Sequence, residues 1–147
     1  MIPAISNFNL KEMKVFFVED EIAQRELWYM YFSKVAGLDI QIFDNPIEAQ
    51  SIIEDTYSRG LPVDVLITDE DMAILHGVDL IDNVHRFCQS NDLRPPFTIL
   101  VSALDKRYLR NELDSRGFTE IPVLQKKELA TLRQLVLEHH SNNTPEG

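Results

Sequence analysis

The sequence predicts an α/β fold in which helices cover both faces of a parallel five-stranded sheet, giving a doubly wound structure of three layers. The first observation is an apolar run, Val63 and Val65–Ile67, that is typical of a strand buried on both faces. The second is that similar runs alternate with helical patterns along the 147 residues. The third is that Asp69 follows the run closely, at the end where open parallel sheets bind ligands.

Each predicted element has a local signal in the sequence. The predicted strands span residues 14–18, 38–43, 63–68, 97–101 and 121–124, and the predicted helices span about 22–35, 46–60, 78–89, 105–116 and 129–140. Asn45 is a typical helix cap, Pro46 a typical first helical residue, and Glu48 completes a capping-box pattern. Gly37 predicts a left-handed end to the first helix. Pro122 places the last strand at an edge of the sheet.

The chain is predicted to contain one domain, at residues 14–140. An extension at 1–13 precedes it, and a disordered tail at 141–147 follows it. His139 and His140, beside this tail, are expected to be solvated. The hydrophobic content of 44% is ordinary for a globular protein and sufficient for one core.

Charge and cysteine content exclude several classes of function. The formal net charge of −10 repels nucleic acid and anionic membranes, so neither is an expected partner. Cys88 is the only cysteine, which excludes a disulfide framework within the chain. We find no signal-peptide pattern and no apolar run of the roughly 20 residues that a membrane helix needs. These observations predict a cytoplasmic protein.

Acidic side chains stand where two predicted strands end. Glu19 and Asp20 follow the first strand, and Asp69 follows the third. If these strands are neighbours, three carboxylates crowd one small space and raise one another's pKa. A hard divalent cation relieves that repulsion, and Mg²⁺ prefers oxygen ligands together with a phosphate group. The acids therefore predict a Mg²⁺ site that handles a phosphoryl group.

Asp69 is the candidate nucleophile of this site, because a carboxylate can attack phosphorus and form an aspartyl phosphate. Phosphoryl transfer depends mainly on positioning and on the neutralisation of charge. Lys126, after the fifth strand, offers a mobile positive charge for a phosphoryl oxygen. Ser102, after the fourth strand, offers a hydroxyl donor. The predicted catalytic residues are therefore Asp69, Ser102 and Lys126.

From about residue 14 to residue 138, the chain resembles the receiver domains of bacterial two-component response regulators, in particular stand-alone receivers of the chemotaxis-regulator type. The matching residues are Glu19, Asp20, Asp69, Gly77, Ser102, Ala103 and Lys126. The resemblance implies a flavodoxin-like fold with strand order 2-1-3-4-5, which brings Asp69 beside the acidic pair. It also implies that Asp69 is the phosphoacceptor and that the backbone carbonyl of Asp71 is a further Mg²⁺ ligand.

The same resemblance implies the partners of the chain. The phosphoryl donor would be a phosphohistidine on a sensor histidine kinase or on a histidine phosphotransfer protein. The phosphorylated chain would then act by binding a downstream protein target, and a homodimer is a further candidate assembly. Such a domain phosphorylates and dephosphorylates itself and is not a dedicated enzyme.

Three positions depart from the family pattern. Ala73 and Lys127 stand where the family usually has proline, and Val123 stands where it has an aromatic residue that couples to the serine. A second interpretation is therefore a receiver-like binding module that no longer uses phosphate. The retained acids and Lys126 favour the phosphorylated receiver.

A third interpretation is a phosphatase of the haloacid-dehalogenase type. Asp69 and Asp71 match the first motif of those enzymes, in which the second aspartate acts as an acid and base. Such enzymes need an acidic pair after their lysine to hold Mg²⁺. Past Lys126 the chain contains only separated glutamates, which argues against this interpretation.

Five large apolar residues follow one another at 28–32, on the first predicted helix. At about 100° per residue, they cannot all face one core, so at least one or two must reach the surface. In the resembled family, this helix meets the phosphodonor protein. The exposed members of this run are therefore candidates for a docking surface.

Overall fold

The computed structural model describes residues 12–103 and 105–143. The strands are β1 (Met13–Val18), β2 (Leu38–Phe43), β3 (Val65–Asp69), β4 (Phe97–Ser102) and β5 (Val123–Gln125). The helices are α1 (Ile22–Phe32), α2 (Pro46–Ser58), α3 (Gly77–Ser90), α4 (Lys106–Ser115) and α5 (Leu129–Asn143). Most of the predicted extension and the last four residues of the predicted tail lie outside the described residues.

The strands form one sheet in the order β2-β1-β3-β4-β5, and every neighbouring pair is parallel. This order confirms the predicted doubly wound fold, and it confirms that the strand after Pro122 lies at an edge. No described helix has the length and apolar character needed to cross a membrane.

Alternate residues of the strands point to opposite helical layers, as the pleat of a strand requires. On β1, Val15 and Phe17 pack with residues of α1 and α5. Phe16 and Val18 pack on the other face with residues of α2 and α3. All four side chains are fully buried, which confirms the prediction of strands covered on both faces.

Asn45 caps α2 as predicted. Its Oδ1 accepts hydrogen bonds from the backbone N–H groups of Ile47 at 2.8 Å and Glu48 at 3.2 Å. Pro46 is the first helical residue, where its missing N–H leaves no bond unmade. This local chemistry starts α2 directly after β2.

Several predicted boundaries were wrong by two or three residues. The first helix ends at Phe32 and not near Val35, because a turn precedes Gly37 (φ +87°). β5 begins at Val123, after Pro122, whose carbonyl accepts a hydrogen bond from the Leu100 N–H at 3.0 Å. α5 continues to Asn143, three residues into the segment predicted as tail.

His139 and His140 are packed against the fold, so the expectation that they are solvated was wrong. The His139 ring stacks on Phe97, with centroids 4.6 Å apart and planes at 16°. The His140 ring lies against Gly37, where a Cβ atom would come within 2.8 Å of it. These contacts hold the C-terminal end of α5 against the sheet, at the edge opposite the acidic residues.

Candidate functional site

Three carboxylates meet at the carboxyl edge of the sheet. β1 ends at Val18, so Glu19 and Asp20 follow it, and β3 ends at Asp69. The two strands are neighbours and pair Val18 with Thr68, which brings their ends to the same level. One oxygen from each of the three carboxylates lies within 4.8 Å of the other two. Glu19 and Asp69 are fully buried, whereas Asp20 is exposed.

Lys126 brings a positive charge to these acids from the far side of the sheet. Its Nζ lies 3.1 Å from Glu19 Oε1 and 3.5 Å from Asp69 Oδ1. Its backbone N–H donates a hydrogen bond to the Ser102 carbonyl at 3.0 Å, which holds the start of the loop after β5. Lys126 therefore reaches Asp69 although Lys127, and not proline, follows it.

Ser102 is the last residue of β4 and is fully buried. β3 pairs Asp69 with Val101, so Ser102 lies one residue further toward the carboxyl edge. On its other side, Ser102 pairs with Gln125, which directly precedes Lys126. The serine thus lies between the strand that carries Asp69 and the strand that leads to Lys126.

Burial controls the ionisation of the acidic residues. It raises the pKa of Asp69 to about 7, and the nearby Glu19 charge adds to this rise. The Lys126 charge lowers the pKa of Asp69 but does not outweigh burial. Burial also raises the pKa of Glu19. In their ionised forms, these side chains repel one another in a place that water does not reach.

The residues present fit a hard divalent cation. Apart from the ion pair with Lys126, neither oxygen of Asp69 accepts a hydrogen bond among the described residues. Both Asp69 oxygens are also buried, so bulk water does not reach them. Three carboxylates that converge in this way offer the oxygen ligands that Mg²⁺ prefers. The arrangement can therefore bind Mg²⁺ and present a carboxylate to a phosphoryl group.

The loop between β3 and α3 packs directly against Asp69. Gly77 lies so close to the Asp69 carbonyl oxygen that a Cβ atom on it would overlap that oxygen. The Gly77 N–H donates to the Glu70 carbonyl at 3.1 Å, and the Val78 N–H donates to Glu70 Oε1 at 2.9 Å. Glu70 thus holds the start of α3 beside Asp69. The amino-acid pattern does not indicate this role of Glu70, because no local pattern pairs residues eight positions apart across a loop.

The phosphatase interpretation depends on Asp71 and on metal-binding acids after Lys126, such as Glu128. The Asp71 side chain is exposed, and its charge is a minor cause of the raised pKa of Asp69. The role of its backbone carbonyl stays a prediction. Glu128 forms an ion pair with Lys106 at 3.1 Å and accepts a hydrogen bond from the Gln125 N–H at 3.2 Å. Glu128 is therefore engaged by local partners, Lys106 and Gln125, and this argues against the phosphatase interpretation.

The first helix, α1, starts beside the acidic pair and exposes several large apolar side chains. Trp28 and Phe32 are fully buried, whereas Tyr29 is 59% exposed and Met30 is 70% exposed. Tyr31 is exposed as well, so the prediction that this run reaches the surface is confirmed. The helix begins at Ile22, two residues after Asp20. Tyr29, Met30 and Tyr31 lie in the last turn of this helix, roughly 10–14 Å along its axis from the end that follows the acidic pair.

No protein-family model and no curated protein matches the chain. Its fold matches solved receiver domains. The receiver domain of Ssk1 from Saccharomyces cerevisiae, co-crystallised with the histidine phosphotransfer protein Ypd1, aligns with a TM-score of 0.75 and 15% identity, over 92% of this chain and 93% of that chain. The receiver domain of the histidine kinase CKI1 from Arabidopsis thaliana, complexed with Mg²⁺ and BeF₃⁻, aligns with a TM-score of 0.73 and 21% identity, over 95% and 97%. The chain therefore has the receiver-domain fold.

Proposed function

We propose that this chain is a response-regulator receiver that accepts a phosphoryl group on Asp69 from a phosphohistidine donor. Mg²⁺ would be held by Glu19, Asp20, Asp69 and the backbone carbonyl of Asp71. The observation that carries the proposal is the buried Asp69 carboxylate, which has no hydrogen bond beyond its contact with Lys126 among the described residues. The likeness to a receiver domain co-crystallised with a histidine phosphotransfer protein supports the same function.

The proposed reaction is the transfer of a phosphoryl group from nitrogen to oxygen. An Asp69 oxygen forms a bond to phosphorus while the P–N bond of the donor breaks, and the donor imidazole keeps the electron pair of that bond. Mg²⁺, when bound, supplies positive charge that offsets the repulsion between the carboxylates and the phosphoryl group. The Lys126 ammonium and the Ser102 hydroxyl each donate a hydrogen bond to a phosphoryl oxygen.

Intact-mass measurement with acetyl phosphate tests this function directly. In the presence of Mg²⁺ the chain should gain one phosphoryl group, and removal of Mg²⁺ with EDTA should prevent the gain. A chain that stays unmodified with Mg²⁺ and with a phosphohistidine protein donor is instead the phosphate-independent binding module.

The exposed apolar side chains of α1, namely Ile22, Tyr29, Met30 and Tyr31, are the proposed docking surface for the phosphohistidine donor. Its residues are exposed, and the helix that carries them follows the acidic pair directly. A protein that docks on this face can place its phosphohistidine over the carboxyl edge of the sheet. Large exposed aromatic residues are typical energetic centres of protein interfaces.

Tyr29→Ala and Met30→Ala should each slow transfer from the cognate phosphohistidine protein about tenfold, the loss typical of a strong interface residue. The same variants should react with acetyl phosphate at the wild-type rate, because this small donor makes no interface contacts. Rates of both reactions can be followed by intact mass.

Tyr108→Ala is the matched control for these variants. Tyr108 is also an aromatic residue, 69% exposed, but it lies on α4, in the opposite helical layer. We expect wild-type transfer rates from both donors. Equal losses with both donors in the α1 variants would indicate misfolding, whereas wild-type transfer from the phosphohistidine protein would contradict docking on α1.

We propose that phosphorylation changes the loop after β4 and the adjoining α4. Val123 is half-buried and packs against a cluster that includes Leu100 of β4 and Leu109 of α4. Because Val123 has no ring, it cannot couple to Ser102 by an aromatic rotamer change. Ser102 ends β4 and Asp105 caps α4, so the segment between them is the shortest connection from the site to α4.

Binding of beryllofluoride and Mg²⁺ should therefore change the amide chemical shifts most strongly at residues 102–109. A ¹H–¹⁵N spectrum recorded with and without beryllofluoride measures this. If these amides stay unchanged while others move, the proposed route through α4 is wrong.

A further inference from the structure

The N–H of Ala73 donates a hydrogen bond to Asp20 Oδ2 at 3.2 Å. This bond joins the loop after β1 to the loop after β3, which are 53 residues apart along the chain. Ala73 stands where the resembled family usually has proline, a residue that has no backbone N–H to donate. The bond is therefore available to this chain because residue 73 is not proline.

The Ala73 N–H is a well-positioned donor, because its neighbours along the loop are held. The preceding residue, Met72, is buried, and its N–H donates to the Glu70 carbonyl at 3.1 Å. Glu70 in turn binds the N–H groups of Gly77 and Val78 at the start of α3. The Ala73 side chain is exposed, so the contribution of this residue to the site comes from its backbone.

Asp20 is the carboxylate that needs such a donor most. Glu19 and Asp69 are fully buried and are oriented by packing and by Lys126. Asp20 is exposed, so its side chain can adopt other rotamers unless a contact holds it. A hydrogen bond to Oδ2 holds the carboxylate and leaves Oδ1 for another ligand. Carboxylates that bind metals commonly accept such a hydrogen bond from an outer group, which improves metal affinity.

We propose that the Ala73 backbone N–H is a positioning group for the Mg²⁺ site: it orients Asp20 and thereby couples metal binding to the β3–α3 loop. The inference rests on the Mg²⁺ site of the proposed function. It adds one requirement to that site: besides the three carboxylates, Mg²⁺ binding by this chain needs a backbone donor at residue 73.

Ala73→Pro tests this inference, because it removes the donor and leaves every carboxylate in place. Calorimetric titration with Mg²⁺ should give a dissociation constant about tenfold higher than that of the wild type, the lower end for outer groups of metal ligands. Ala73→Ser keeps the N–H and should bind Mg²⁺ with wild-type affinity.

Thermal unfolding without Mg²⁺ should show that Ala73→Pro remains folded. Equal Mg²⁺ affinities of wild type and Ala73→Pro would overturn this inference alone. An equal loss in Ala73→Ser would also overturn it, since this variant keeps the N–H. Absence of Mg²⁺ binding by the wild type would overturn the proposed metal site itself.

Hydrogen exchange of the Ala73 amide in the wild type gives a second readout that needs no substitution. If the hydrogen bond orients Asp20 for the metal, saturating Mg²⁺ should slow exchange of this amide several-fold. If Asp20 must leave Ala73 to reach the metal, Mg²⁺ should accelerate exchange, and that result would overturn the inference.

Discussion

Asp69→Asn should abolish phosphorylation of the protein by acetyl phosphate. An amide oxygen is a poor nucleophile. The other acids of the site, Glu19 and Asp20, lie at different positions relative to Lys126 and Ser102, so they should not replace Asp69 as the nucleophile. We expect the rate to fall by at least about a hundredfold, which corresponds to nearly 3 kcal/mol of activation free energy. Intact mass after incubation with acetyl phosphate and Mg²⁺ measures the effect, with the wild type gaining one phosphoryl group.

Asp44→Asn is the matched control for this substitution. Asp44 also follows a parallel strand, β2, but it is exposed and lies outside the group of three carboxylates. This variant should be phosphorylated at the wild-type rate. Labelling that persists in Asp69→Asn would show that another residue is the acceptor, and the assignment of Asp69 would then be wrong.

Lys126→Met should produce the largest loss of stability among substitutions in the site. It removes the positive charge that lies 3.1 Å from Glu19 and 3.5 Å from Asp69, two acids that are fully buried. Removing one partner of a buried ion pair costs roughly 3–5 kcal/mol of unfolding free energy. Because the Lys126 side chain is 22% exposed, we expect a loss near the lower limit, about 3 kcal/mol. Urea unfolding in the presence of EDTA measures it.

Two further variants separate this electrostatic effect from simple loss of packing. Lys127→Met changes an exposed neighbour that belongs to no ion pair among the described residues, and its stability should match that of the wild type. In an Asp69→Asn background, the loss caused by Lys126→Met should shrink, because one of the two buried acids is then neutral. An undiminished loss in the double variant would contradict the proposed charge balance.

The amino-acid pattern by itself determined the alternation of strands and helices. Burial on both faces selects unbroken apolar runs, such as the one at the start of β3, and caps such as Asn45 start helices through local hydrogen bonds. The same pattern placed Asp69, Ser102 and Lys126 after successive strands. These signals are readable because each depends on residues that are close together in the chain. Strand order came from the family resemblance, since no local pattern states which strands pair.

Only the tertiary structure decided which distant groups meet. It brings Lys126 to Asp69 from the far edge of the sheet, and it selects Tyr29 and Met30 as exposed while Trp28 is buried. It also stacks His139 on Phe97, a contact that made the expected solvation of this histidine wrong. Sequence periodicity reports which face of an element is apolar, but not what covers that face.

The hydrogen bond from the Ala73 N–H to Asp20 was likewise decided by the tertiary structure. The sequence determined that residue 73 is not proline and therefore has an N–H to donate. Whether that N–H meets a carboxylate depends on how β1 and β3 pair and on how the loop after β3 returns to α3. The side-chain pattern gives no signal for a backbone donor, so the partner of this donor is known only from the folded structure.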